Sequence, residues 1–194
     1  MLLVAANLHD MYVYTSAVFI HFLFSALAIG ALLSVDLKFV KNYHNPLTPD
    51  FLKQMGGSGK LIAAAIPVLW VTGVYFVMYG AWIDGGYLAN QKLIFKCVVV
   101  SIISLNGILL GMKLRGMRVG DVIANYSGFS QVTMLVVSSL STVSWLWACY
   151  VGVARNWNFT IDFWDLISYY MASWLLTMIL VVVYVTSFAK ETTK

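Results

Sequence analysis

Three polar residues interrupt long apolar runs, and they are the ones that could do chemistry. His21 lies in VFIHFLFSALAIGALLSVDLKFV (residues 18–40), where no charge follows until Asp36. Lys96 opens KCVVVSIISLNG (96–107), and Asn106 stands one residue before its end. An imidazole in an apolar helix offers a metal ligand or a proton acceptor. An ammonium nearby offers a counter-charge to an anion. Ionisable groups at such positions are costly in lipid and are functional candidates by default.

Counting along each run at 1.5 Å per residue places His21 about 15 Å below one surface, Thr72 about 16 Å, and Trp145 and Trp174 each about 12 Å, with Lys96 about 5 Å in. A flat aromatic ligand with carboxylates at its outer rim suits that layering. Haem of the b type is therefore the first candidate, with His21 as the metal ligand and Lys96 as partner to a propionate. Thr72, Trp145 and Asn106 are expected to be wall residues. A plainer reading stays open: His21 bonds a hydroxyl on a neighbouring helix, and Lys96 extends outward to water. Of the three histidines, His9 precedes the first run and His44 lies in a loop, so one chain cannot build a deeply buried bis-histidine site. The remaining sixth ligands are His9 folding inward, Met78, Lys96, water, or His21 of a second copy.

The elements that must hold these residues follow from composition. The chain has 194 residues, 61% hydrophobic and 10% charged, against about a quarter charged in soluble domains. Its mean hydropathy is +0.83. The expected fold is all-α: a single membrane domain of five transmembrane helices near 11–33, 61–83, 93–112, 132–153 and 166–188, each long enough for a core of about 30 Å. The start, MLLVAANLHD, lacks a basic segment, so the first helix reads as retained. Lys38, Lys41, Lys53, Lys60, Lys113, Arg115, Arg118, Lys190 and Lys194 fall on one side, and Lys92, Lys96 and Arg155 on the other. The positive-inside rule then puts the N-terminus outside and the C-terminus in the cytoplasm, in a bacterial inner membrane. The same asymmetry explains the net charge of +4 without nucleic acid.

The longest loop, KNYHNPLTPDFLKQMGGSGK, is expected to carry a short amphipathic turn begun by Thr48, Pro49 and Asp50, then a flexible GGSG run. Pro67 and Gly73 are expected to bend the second helix. Trp82, Tyr87, Trp157 and Trp164 read as interfacial anchors. Small residues such as Ser25, Ala28, Ala65, Ser139 and Ser144 mark close helix contacts. Cys97 and Cys149 read as apolar fillers.

The motifs resemble a group of bacterial integral-membrane families that includes the membrane domain of the copper-resistance D family and the small membrane-type protoporphyrinogen oxidases. The likeness is strongest to members whose function is not known. It rests on His21, Gly30 and VDLKFV (35–40) in helix one, LWVTGVYF (69–76) in helix two, KCVVVSIISLNG in helix three and SLSTVSWLWACYVGVAR (139–155) in helix four. The resemblance implies haem binding through His21 with Lys96 also needed. Asp36 and Asn106 stand where the oxidases carry a basic residue and a histidine, which argues against oxidase activity while leaving a haem or porphyrin site. The leading expectation is a haem protein in electron transfer or redox chemistry, in contact with the lipid bilayer and working as a homo-oligomer or with a redox partner subunit. Its rivals are a cofactor-free membrane subunit or assembly factor, and a transport protein for copper or a small solute.

Overall fold

In a computed structural model, the backbone is described for residues 2–189 and the side chains for residues 10–187. Five helices appear, α1 (Leu2–Lys41), α2 (Pro49–Ile83), α3 (Gln91–Leu114), α4 (Gly128–Val153) and α5 (Phe163–Ala189), with single 3-10 turns in three of the connections. All five contain segments long and apolar enough to cross a membrane. The fold is thus an all-α bundle of membrane-spanning helices, as the composition demands.

Two helices are longer than the hydropathy suggested. α1 continues past Asp36 to Lys41, and Lys38 and Lys41 in its last turn complement the helix dipole. α2 begins at Pro49, capped by Thr48, whose hydroxyl accepts from the Phe51 amide at 3.2 Å. Asp50 adds a favourable charge to that first turn. The GGSG segment, expected to be a flexible loop, is helical within α2. Each glycine costs about 1 kcal/mol in a helix. Here Phe51 and Met55 offset it by burying against Phe39, Tyr43 and Leu47. The helix also runs unbroken through Pro67 and Gly73.

α4 is the central helix, packed on α3 and α5 and touching α1, whereas α2 and α3 barely meet along their lengths. The molecule is therefore an α1–α2 hairpin set beside an α3–α4–α5 trio. At the basic end the two parts are tied together. Leu47 donates its amide to Asp121 O (2.8 Å), Gly120 to Leu47 O (2.9 Å) and Ala124 to Tyr43 O (3.1 Å). The Tyr43 hydroxyl donates to Gln131 Oε1 (2.9 Å), while Gln131 Nε2 donates to Ala124 O and Tyr126 O. Asp121 Oδ2 accepts from the Tyr126 hydroxyl (2.6 Å) and the Arg118 amide (2.8 Å). These two bonds, the Tyr126 one first, hold the Asp121 carboxyl below its usual range. Burial, then the bond to Asp121, pushes Tyr126 up to about 12.

At the opposite end the trio is tied to itself. Lys92 donates to Ala154 O (2.7 Å) and Asn158 Oδ1 (2.8 Å), and Gln91 Oε1 accepts from the Phe163 amide (2.6 Å). The hairpin's α1 is nearly bare there: from Met11 to Ile20 only Ala17 is half-buried. Gly80 lets the Tyr87 ring lie against α2, since a Cβ there would stand 2.5 Å from it.

Candidate functional site

Helical spacing puts Tyr14, His21 and Ala28 on one face of α1, and that face meets α2. Tyr14 packs on Phe76 (5.7 Å between centroids) and Tyr79 (4.9 Å), and His21 lies edge-on to Phe76 (5.4 Å). One turn before Phe76, Thr72 is buried, with its Oγ1 2.6 Å from His21 Nδ1. The depth matching of His21 with Thr72 is thus a direct contact.

The protons of this pair can be placed. Thr72 Oγ1 lies 2.7 Å from Val68 O, which can only accept. The single hydroxyl proton of Thr72 goes to that carbonyl. His21 Nδ1 must then be the protonated nitrogen and donate to Thr72, leaving Nε2 as a bare lone pair. The same division of labour holds a metal-binding histidine in register, one nitrogen on a fixed acceptor and the other on the metal.

Elsewhere in the bundle the polar side chains are spent on helix contacts. The indoles of Trp70, Trp147 and Trp174 donate to Ser104, Ser173 and Ser139. Ser144 bonds the Tyr170 hydroxyl at 2.8 Å. Thr142 donates to the Asp36 carboxylate. Among the described residues no hydrogen bond reaches His21 Nε2, the Lys96 ammonium or the Trp145 indole N–H, and the same holds for the Trp157 indole and the Tyr75 and Tyr79 hydroxyls. Trp145 is only 3% exposed, yet none of these atoms is sealed from the surroundings. Lys96 is half-buried on α3.

Other expected site residues fall differently. Asn106 is buried and donates to Val137 O at 2.8 Å, so it joins α3 to α4 and bonds nothing of the His21 pair. Trp145 packs in the cluster that holds Ala28, Leu32 and Ala65, without ring contact to His21. Met78 is 67% exposed on α2, turned away from the site. The His9 side chain lies outside the described residues. Cys97 is exposed, Cys149 half-buried, and both are free thiols. Lys92, a residue sequence reasoning left in the loop, is the buried lysine that the end of the trio uses. Its spacing from Phe95 and Val99 on the buried stripe of α3 was the available signal.

Of the residues expected to serve a haem, His21 presents an imidazole nitrogen without a hydrogen bond, beside Thr72 and Phe76; among the described residues no hydrogen bond or ring contact joins it to Lys96 or Trp145. The His21 ring lies between α1 and α2, half-buried, and lines neither of the two cavities described. Among the described residues no group of three His, Cys, Asp or Glu side chains gathers around a common point. Comparison of the chain with family models, curated proteins and solved structures finds no match.

Proposed function

We propose that this membrane protein binds haem b and serves electron transfer or redox chemistry, as a homo-oligomer or beside a redox partner subunit. The observation that carries the reading is His21 on the face of α1 that meets α2, with its Nδ1 bonded to Thr72 at 2.6 Å and its Nε2 without a hydrogen bond. Bound haem supplies a one-electron carrier. The chain's own residues do the rest: His21 offers Nε2 to the iron, Thr72 holds the ring by its other nitrogen, and Lys96 meets a carboxylate at the rim. The resemblance to families in which a first-helix histidine and a third-helix lysine serve haem supports the same pair.

The test is an absorption spectrum of protein purified in non-ionic detergent, with and without added haem and dithionite. A Soret band that saturates at a fixed ratio of haem to protein, and is lost in His21→Ala, is the expected result. No band in the wild type, with His21→Ala only loosening the fold, would favour a cofactor-free subunit, because the His21–Thr72 bond already joins α1 to α2. We place the protein in a bacterial inner membrane with the basic loops in the cytoplasm. Single cysteines at Lys53 and Asn156 should label from opposite sides with an impermeant maleimide.

A further inference from the structure

Among the described glycines only Gly120 has a positive φ, so no backbone turn demands the glycines of α2. Gly56, Gly57 and Gly59 are exposed, and a Cβ on any of them would meet nothing within 4 Å. Alanine would fit at all three and would hold the helix better. Neither shape nor contact therefore accounts for three glycines in four residues. What they supply is a helix that opens easily, and Gly/Ser pairs are among the few places where helices kink sharply. The support around them is equally thin. No residue from Gly56 to Ala64 is buried. Pro67, just beyond, has no N–H to give the Ala63 carbonyl.

This weak stretch separates two parts of α2 that belong to different cores. On its basic side Phe51 and Met55 pack with Phe39, Tyr43, Leu47 and Ile123, and Lys38 donates to Gln54 at 2.5 Å. On its other side Ala65 packs in a separate cluster with Ala28 and Leu32. There only Ala65 and Thr72 of α2 are buried. Among the described residues one side-chain hydrogen bond runs from this part to the trio, from the Trp70 indole to Ser104 (3.0 Å). Only 6% of the apolar stretch of α2 is buried, against 44% in α4. The membrane part of α2 is thus the most loosely held span, joined to a fixed base by its weakest turns. Thr72 stands about 20 Å beyond Gly59 along the axis. A kink of about 20° at the glycines would carry it about 7 Å, further than its 2.6 Å bond to His21 can follow.

We propose that α2 is a lever hinged at Gly56–Gly59. Its first turns stay locked to the basic end, and its membrane part swings from α1, opening the His21–Thr72 contact, whether or not haem is bound. Hydrogen exchange read by mass spectrometry in lipid nanodiscs would compare residues 56–63 with residues 29–36, at the same level of α1. The α2 segment is expected to exchange about tenfold faster or more. Gly56→Ala, Gly57→Ala and Gly59→Ala should each slow it about fivefold, and the three together about a hundredfold. Spin labels in a chain whose Cys97 and Cys149 are replaced by alanine would follow the swing. Labels at Tyr12 and Met78, both 67% exposed at the outer end of the hairpin, should give a broad distance distribution that narrows in the triple-alanine variant. Labels at Lys53 and Asn125, at the locked end, should give a narrow one in both proteins. Equal exchange in the two segments, or a Tyr12–Met78 distribution that the alanines leave unchanged, would overturn the proposal.

Discussion

Replacing Thr72 with valine tests the tautomer argument with almost no change in shape. The substitution removes the acceptor of the 2.6 Å bond from His21 and the donor of the 2.7 Å bond to Val68. Intramembrane polar pairs average about 0.6 kcal/mol and reach about 1.7, so the bundle should lose that much stability. If Thr72 orients a ligating histidine, the cost to the ligand is larger. Removing such a partner typically lowers metal affinity 10- to 100-fold, or about 1.4 to 2.7 kcal/mol. Haem titration followed at the Soret band gives the affinity, and unfolding by SDS in mixed micelles gives the stability. Thr72→Ser should restore both. A valine variant that loses stability but keeps wild-type haem affinity would refute the reasoning, because the ring would then need no help in presenting Nε2.

Asn106→Ala should cost about 0.6 to 1.7 kcal/mol of stability by cutting the bond to Val137, with the haem spectrum unchanged. That outcome would confirm it as a helix tie. Lys96→Gln should weaken haem binding several-fold while Lys96→Arg retains it, and the difference should vanish for a haem whose propionates are esterified. The tie at the basic end should be pH-dependent at both extremes. Asp121 is depressed in the fold, so its contribution is present above about 4 and is lost as pH falls through its lower folded value. Tyr126 is raised, so its contribution is present below about 10 and is lost as pH rises through about 12. In phenolate absorbance at high pH, Tyr126→Phe should remove a late-titrating component and Asp121→Asn should shift it down.

The five spans were legible in the sequence because twenty or so apolar residues in a row leave lipid as the only solvent. The ends of α1 and α2 were not, because Asp36, Lys38 and the glycines at 56, 57 and 59 look like loop. They are helical because Phe39, Phe51 and Met55 bury on the far side of those turns, a tertiary fact that no local pattern carries. Depth along a helix could be counted, so His21 was matched to Thr72. Direction around the helix axis could not, so Asn106 was grouped with a site from which it turns away, and Lys92 was passed over. The proton on Nδ1 needed coordinates, since only the Val68 carbonyl decides which way the threonine hydroxyl points.

That proton offers the sharpest test. In histidine-labelled protein in lipid, the nitrogen-15 spectrum of His21, identified by its absence in His21→Ala, should show a protonated Nδ1 and a bare Nε2 whose signal is lost when haem is added. A protonated Nε2, or a bare Nε2 signal indifferent to haem, would contradict the assignment of this ring as the ligand.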